Sequence, residues 1–254
     1  MNYYGKTILI TGASSGIGES FAEKFASLGA KLVLVARRED VLNALASKFK
    51  EKHGTETQVI GLDLAAPGAA AKLYEQVPAI DGLVNNAGFG TYGPLYEQDA
   101  DKVNQEVQLN CGALVDLTRT YLPGMVERKE GFVINLASVA SFQPSPYLAV
   151  YSATKAFVLS FTQSIWGELQ GTGVTALAVC PGPTKTNFFD AAGGHDFSVG
   201  KMRTPAHVVE TALKGLTKNK HTAVDGFGNK LLAFFGRVSP RTLTINVVGK
   251  MVKE

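Results

Sequence analysis

The 254-residue sequence is poor in cysteine, with only Cys111 and Cys180, which stand far apart. That excludes a disulfide framework and a cysteine-based metal site, and both residues read as small buried hydrophobes. Histidine is nearly as scarce: His53, His195, His207 and His221 lack metal-ligand spacing, so no metal is expected and surface or loop positions are. Charge is sparse too. Charged residues make up 19% of the chain, its formal net charge is +3, and no dense Lys/Arg run occurs, so no nucleic-acid partner is expected. The slight basic excess would suit an anionic cofactor. No uncharged apolar run reaches the ~18 residues that would span a bilayer. Met1-Asn-Tyr-Tyr-Gly-Lys6 leads into the first apolar run without an apolar leader, so a cytoplasmic protein is expected. There is no repeat, low-complexity tract or linker.

What the chain has is apolar residues, 45% of the total, enough for a large core. Short apolar runs alternate with amphipathic stretches. Strands are predicted at 7–10, 31–36, 58–62, 82–85, 132–136 and 174–179. Helices are predicted at 16–28 (stopped by Gly29), 39–52 (closed by Gly54), 68–76, 101–125 and 151–169. A further helix runs from Thr204-Pro205 through 217, with Thr as N-cap and Pro in the first turn. Continuous rather than alternating apolar strands suggest a parallel sheet covered on both faces. The α/β alternation predicts a doubly wound, Rossmann-like parallel sheet in a single domain, 1–254.

Thr11-Gly-Ala-Ser-Ser-Gly-Ile-Gly18 falls between the first strand and first helix. Glycines there let the backbone turn sharply and approach a pyrophosphate, which the helix N-terminus attracts. Gly12, Ser14, Ser15, Gly16, Ile17 and Gly18 are the candidate cradle for a dinucleotide. At the end of the second strand, where an NAD-binding protein usually carries an acid, stand Arg37 and Arg38. Two guanidinium groups pair with a 2′-phosphate and stack on adenine, so NADP(H) is expected. The plainer reading is two solvated arginines paired with Glu39 and Asp40.

Tyr151-Ser-Ala-Thr-Lys155 puts a phenol and an ammonium four apart on one helix face. The lysine charge is expected to lower the tyrosine pKa, making Tyr151 a proton donor and acceptor near neutral pH. A surface helix pair would look the same from the spacing alone.

Together these motifs resemble the short-chain dehydrogenase/reductase family, in its compact single-domain branch. The resemblance runs from about Lys6 to Thr186 and rests on ordered elements. They are the 11–18 turn, Asp63, Asn85-Asn-Ala-Gly88, Asn110, Ser138, Tyr151 with Lys155, and Pro181-Gly182 with Thr186. It implies a catalytic set of Asn110, Ser138, Tyr151 and Lys155. Ser138 would donate to the substrate oxygen, and Asn110 would bend its helix and hold a water linking Lys155 to solvent. It also implies that Asp63, placed by Leu64, meets the adenine amine, or else caps the next helix. Asn86, Ala87 and Gly88 would pass beneath the cofactor. Tyr151 and Lys155 would share in holding it, and Pro181, Gly182, Thr184 and Thr186 would touch nicotinamide and pyrophosphate.

The chain departs from the family pattern in two places. It lacks the Gly-rich Val-Asp-Gly-Gly-type tail of relatives that reduce carrier-linked ketoacyl groups, and it has no basic residue at the Ser15 position, leaving that work to Arg37 and Arg38. The segments after Asn85 and around 234–241 resemble hydroxysteroid-dehydrogenase-like members. The implied activity is hydride transfer between NADP(H) and a hydrophobic small-molecule carbonyl or secondary alcohol. The alternative is a non-catalytic NADP(H)-binding redox sensor. Residues 187–203 are expected to form a substrate lid. The tail, 229–254, mixes apolar clusters with spaced cations and could lie on a membrane, cover a neighbouring subunit or pack on its own domain. Membrane attachment is not expected, and a soluble homo-oligomer is, with the tail walling the pocket or the interface.

Overall fold

The structure, a computed structural model, describes residues 1–186 and 202–253. The strands are β1 (Thr7–Thr11), β2 (Lys31–Ala36), β3 (Thr57–Gly61), β4 (Gly82–Asn85), β5 (Gly131–Leu136), β6 (Val174–Cys180) and β7 (Thr222–Val224). They form one parallel sheet in the order β3-β2-β1-β4-β5-β6-β7. The helices are α1 (Gly16–Ser27), α2 (Glu39–His53), α3 (Ala69–Gln76), α4 (Ala100–Val107), α5 (Leu114–Arg128), α6 (Ala149–Glu168), α7 (Pro205–Thr217), α8 (Phe227–Val238) and α9 (Arg241–Lys253). This is the doubly wound, Rossmann-like architecture expected.

Side-chain alternation along strands that are apolar throughout builds two cores. Ile8, Ile10, Leu32, Leu34 and Ile134 pack with Phe21 and Phe25 of α1 on one face. Leu9, Val33, Val35, Leu83 and Val133 pack with Leu117, Tyr121 and Met125 of α5 on the other. The strand order reverses between β1 and β4, so the turns leaving them diverge and open a crevice at the sheet's carboxyl edge.

Three elements differ from expectation. The single helix predicted at 101–125 is α4 and α5 joined by a π-helical turn, Gln108–Ala113. β7 is a three-residue seventh strand in a polar context that gave no strand signal. The tail is two helices, α8 and α9, separated at Ser239 and Pro240. The expected lid, 187–203, lies outside the described residues but for its last two, and so does His195.

Candidate active site

The site is assembled at the sheet's reversal. α1 begins at Gly16, directly after the glycine turn, so its unpaired N–H groups face the crevice. The turn is closed tightly on itself: a Cβ on Gly18 would lie 2.3 Å from the Gly12 carbonyl oxygen, so only glycine lets the two backbones meet. Asn86, leaving β4, fastens the turn from below. Its Nδ2 donates to the carbonyls of Thr11 (2.9 Å) and Gly12 (3.2 Å). Its own N–H and that of Ala87 donate to Thr11 Oγ1 at 3.0 Å.

β5 ends in Ser138, which caps the short turn Val139–Phe142; Ala140 N–H donates to Ser138 Oγ at 3.1 Å. The Tyr151 hydroxyl hydrogen-bonds Ser138. Tyr151 and Lys155 sit in the first two turns of α6, as their spacing required. Lys155 is buried, donates to the Leu136 carbonyl at 2.7 Å, and lies 5.8 Å from the centre of the Tyr151 ring.

The electrostatics correct one expectation. Burial, the largest cause, pushes the Tyr151 phenol up to about 12, although its bond to Ser138 pulls the other way. Burial also brings Lys155 down to about 8. At this depth the cost of desolvating each charge outweighs the attraction that the spacing implied, so Tyr151 is a neutral phenol.

Asn110 lies in the π turn. Its Nδ2 donates to Phe89 O (2.8 Å) and Thr154 Oγ1 (3.1 Å), and its Oδ1 accepts from Phe89 N–H (3.2 Å). The expected bend is therefore a wide turn whose polar side chain binds the strand β4 exit to α6.

One cavity of about 940 Å³ runs through these elements. Gly12, Ser14, Ser15, Gly16, Ile17, Arg37, Arg38, Asp63, Leu64, Asn86, Ala87, Gly88, Ser138, Tyr151, Lys155, Pro181, Gly182, Thr184 and Thr186 all line it. Of the sequence-derived candidates, Gly18 and Asn110 do not; they position residues that do. At one end, Arg38 Nη2 donates to Ser14 Oγ at 3.1 Å, and both arginines are exposed. Asp63 Oδ1 accepts from Ala65 N–H at 3.0 Å, the turn-capping role, while also facing the cavity.

Sequence reasoning missed Glu106 and left open whether the tail meets the pocket or an interface. Glu106, one helical turn before Asn110, is fully buried, accepts from Thr91 N–H (2.9 Å) and Oγ1 (2.7 Å), and burial raises its pKa. Its Oε1 has no hydrogen-bond partner among the described residues. The only sequence signal was an acid on the inward face of a predicted helix. The apolar end of the cavity is lined by Leu148, Leu232, Leu243, Val247 and Met251 among others, with Gln143. The tail is thus a wall of the site, held there by a bond from the Tyr92 hydroxyl to Val252 O (3.0 Å).

The residues present fit a nicotinamide dinucleotide. The glycine turn and the first residues of α1 line the cavity where a pyrophosphate would approach, and one continuous cavity joins Arg37 and Arg38 to Tyr151. A family model described as short chain dehydrogenase matches residues 6–195.

The chain belongs to that family. A short chain dehydrogenase of Pseudocercospora fijiensis is 40% identical to this family member over 191 residues, 72% of this chain and 60% of that protein. The chain spans about three-fifths of the length of the curated relatives it matches first. Among solved structures it is similar to a short-chain dehydrogenase from Sphingobium yanoikuyae in complex with NADPH. That match has a TM-score of 0.82 at 33% identity, covering 91% of this chain and 92% of that one. It is also similar to a 7β-hydroxysteroid dehydrogenase, TM-score 0.86 at 27% identity, covering 98% of this chain and 99% of that one.

Proposed function

We propose that this short-chain dehydrogenase is an NADP(H)-dependent reductase of bulky apolar carbonyl compounds, able to run in reverse on secondary alcohols. The observation that carries the reading is the single cavity, with Arg37 and Arg38 at one end, the Ser138–Tyr151 pair at its wall and an apolar chamber beyond. The bound dinucleotide would supply or accept the hydride. The chain does the rest. Ser138 and Tyr151 present two preorganised hydroxyls to the oxygen on which negative charge grows. Tyr151 gives that oxygen its proton, a favourable transfer because an alkoxide is a stronger base than a phenolate with a pKa of about 12. Lys155, buried beneath, supplies the charge that steadies the tyrosinate left behind. In the alcohol-oxidising direction Tyr151 must first lose its proton, so its burial favours reduction at neutral pH.

NADPH in the Sphingobium neighbour and the hydroxysteroid activity of the other support the cofactor and the substrate size. The test is NADPH and NADH oxidation against ketones graded by bulk. Turnover with NADPH that improves with apolar bulk is the expected result. NADPH binding without turnover of any ketone, aldehyde or diketone would favour the redox-sensor alternative.

A further inference from the structure

We infer that the outer face of α8 and α9 docks peripherally on an anionic lipid bilayer, setting the mouth of the cavity against the membrane. The first observation is periodicity. Phe227, Leu231, Phe234, Phe235 and Val238 recur at the spacing of one face of α8, and that face is turned outward: Phe227 is 77% exposed, Val238 60% and Phe234 57%. The inward face is Ala233 and Gly236, both buried. An amphipathic helix that points its apolar stripe away from the core has a partner elsewhere.

Charge selects the partner. From 226 to 253 the chain contains no Asp or Glu. Lys230, Arg237, Arg241 and Lys250 are exposed, and none of them forms a salt bridge among the described residues. Lys230 and Arg237 lie along one side of the apolar stripe, the Arg237 guanidinium resting 5.2 Å from the centre of the Phe142 ring, and set positive charge beside it. A symmetric contact with a second copy would instead set this all-cationic surface against itself. The lipid surface therefore takes the place of the subunit contact expected from the tail's composition. No helix among the described residues is long and apolar enough to cross a membrane, so the attachment is to one surface.

The third observation is continuity with the site. Leu232, Phe235, Leu243, Val247 and Met251 both line the cavity and are at least 40% exposed, so the cavity opens through this face. Resting on the reductase reading above, this makes a bilayer-dissolved carbonyl the substrate class, entering sideways from lipid.

Sedimentation of the full chain with vesicles at physiological salt tests the docking without any turnover. Strong binding to vesicles containing phosphatidylglycerol, and several-fold weaker binding to pure phosphatidylcholine, is expected. F234E and V238E, which lie off the cavity lining, should abolish it. K230Q and K250Q should weaken it about fivefold each, from the ~1 kcal/mol per surface cation. Y4E, at an exposed aromatic just before β1 and so at the sheet edge opposite the cavity, should leave it intact. Turnover then separates the two claims. F234E should lose activity on a long-chain ketone held in vesicles while keeping activity on a water-soluble ketone. Sedimentation without turnover of either ketone would defeat the reductase reading and leave the docking standing. Absence of sedimentation of wild-type protein with anionic vesicles would overturn the docking. So would sedimentation unaffected by F234E and V238E with circular dichroism unchanged. A stripe variant that dissolves a homo-oligomer, with no vesicle binding by wild type, would assign the face to a second copy instead.

Discussion

Asn110 and Thr154, 44 residues apart, meet at 3.1 Å through an amide-to-hydroxyl hydrogen bond. Thr154 is next to Lys155 and in turn donates to the Tyr151 carbonyl at 2.9 Å. With its two bonds to Phe89, Asn110 therefore registers the helix of the proton-transfer pair against the segment that leaves β4. Gly88 shares this junction: a Cβ there would lie 2.7 Å from Asn110 Oδ1 and 3.5 Å from Lys155 Nζ. Gly88→Ala is expected to lower kcat by well over tenfold. Its stability cost should stay within the ~1–3 kcal/mol of an overpacked core, as followed by urea denaturation. Unchanged kcat in a folded Gly88→Ala protein would count against the junction's positioning role.

Tyr151→Phe removes the proton donor but keeps the ring. Reduction should fall by about 10²–10⁴-fold, the usual contribution of a positioned acid, while NADPH affinity measured by fluorescence stays close to wild type. Lys155→Ala should lower both, since the buried ammonium lines the same cavity. Full activity in Tyr151→Phe would refute the mechanism.

Cofactor choice is expected to rest on Arg37 and Arg38, the cations at the cavity end near Ser14. A charged hydrogen bond to phosphate contributes about 1.5–3 kcal/mol, so Arg37→Asp should weaken NADPH about tenfold or more and shift preference toward NADH. A wild-type preference for NADH in side-by-side titrations would remove the basis for this assignment.

The pH dependence follows from two shifts of opposite direction. Lys155, lowered to about 8, loses its charge above that pH, so kcat/KM for reduction should decline on an alkaline limb near 8. Tyr151, raised to about 12, stays protonated across the working range, so it adds no second alkaline limb to reduction there, and alcohol oxidation should instead accelerate as pH rises. The Glu106 carboxylate pulls the Lys155 value upward, so Glu106→Gln should move the reductive limb to lower pH. A limb that stays put or moves up in Glu106→Gln would break the link between the two.

Much of this protein was legible from local sequence. The glycine turn, the apolar strands and the Tyr151–Lys155 spacing are set by backbone freedom, side-chain period and helix pitch, which neighbouring residues fix. Thr204 followed by Pro205 likewise announced α7, whose cap bond from His207 N–H to Thr204 Oγ1 measures 3.4 Å. Other features depend on groups far apart in the chain. β7 is a strand because Thr222–Val224 finds the open edge of β6; two β-branched residues in a run of three are too short a signal by themselves. The π turn is held by Phe89 and Thr154 across two other elements. The direction of the Tyr151 shift was misjudged because spacing reports a neighbouring charge but not the depth of burial, and desolvation is the larger effect here. Composition showed that the tail is apolar and cationic. Only packing decided that Ala233 and Gly236 face the fold, that Leu232 and Val247 wall the cavity, and that Phe234 and Val238 face outward, because which side of a helix is buried is set by what it packs against.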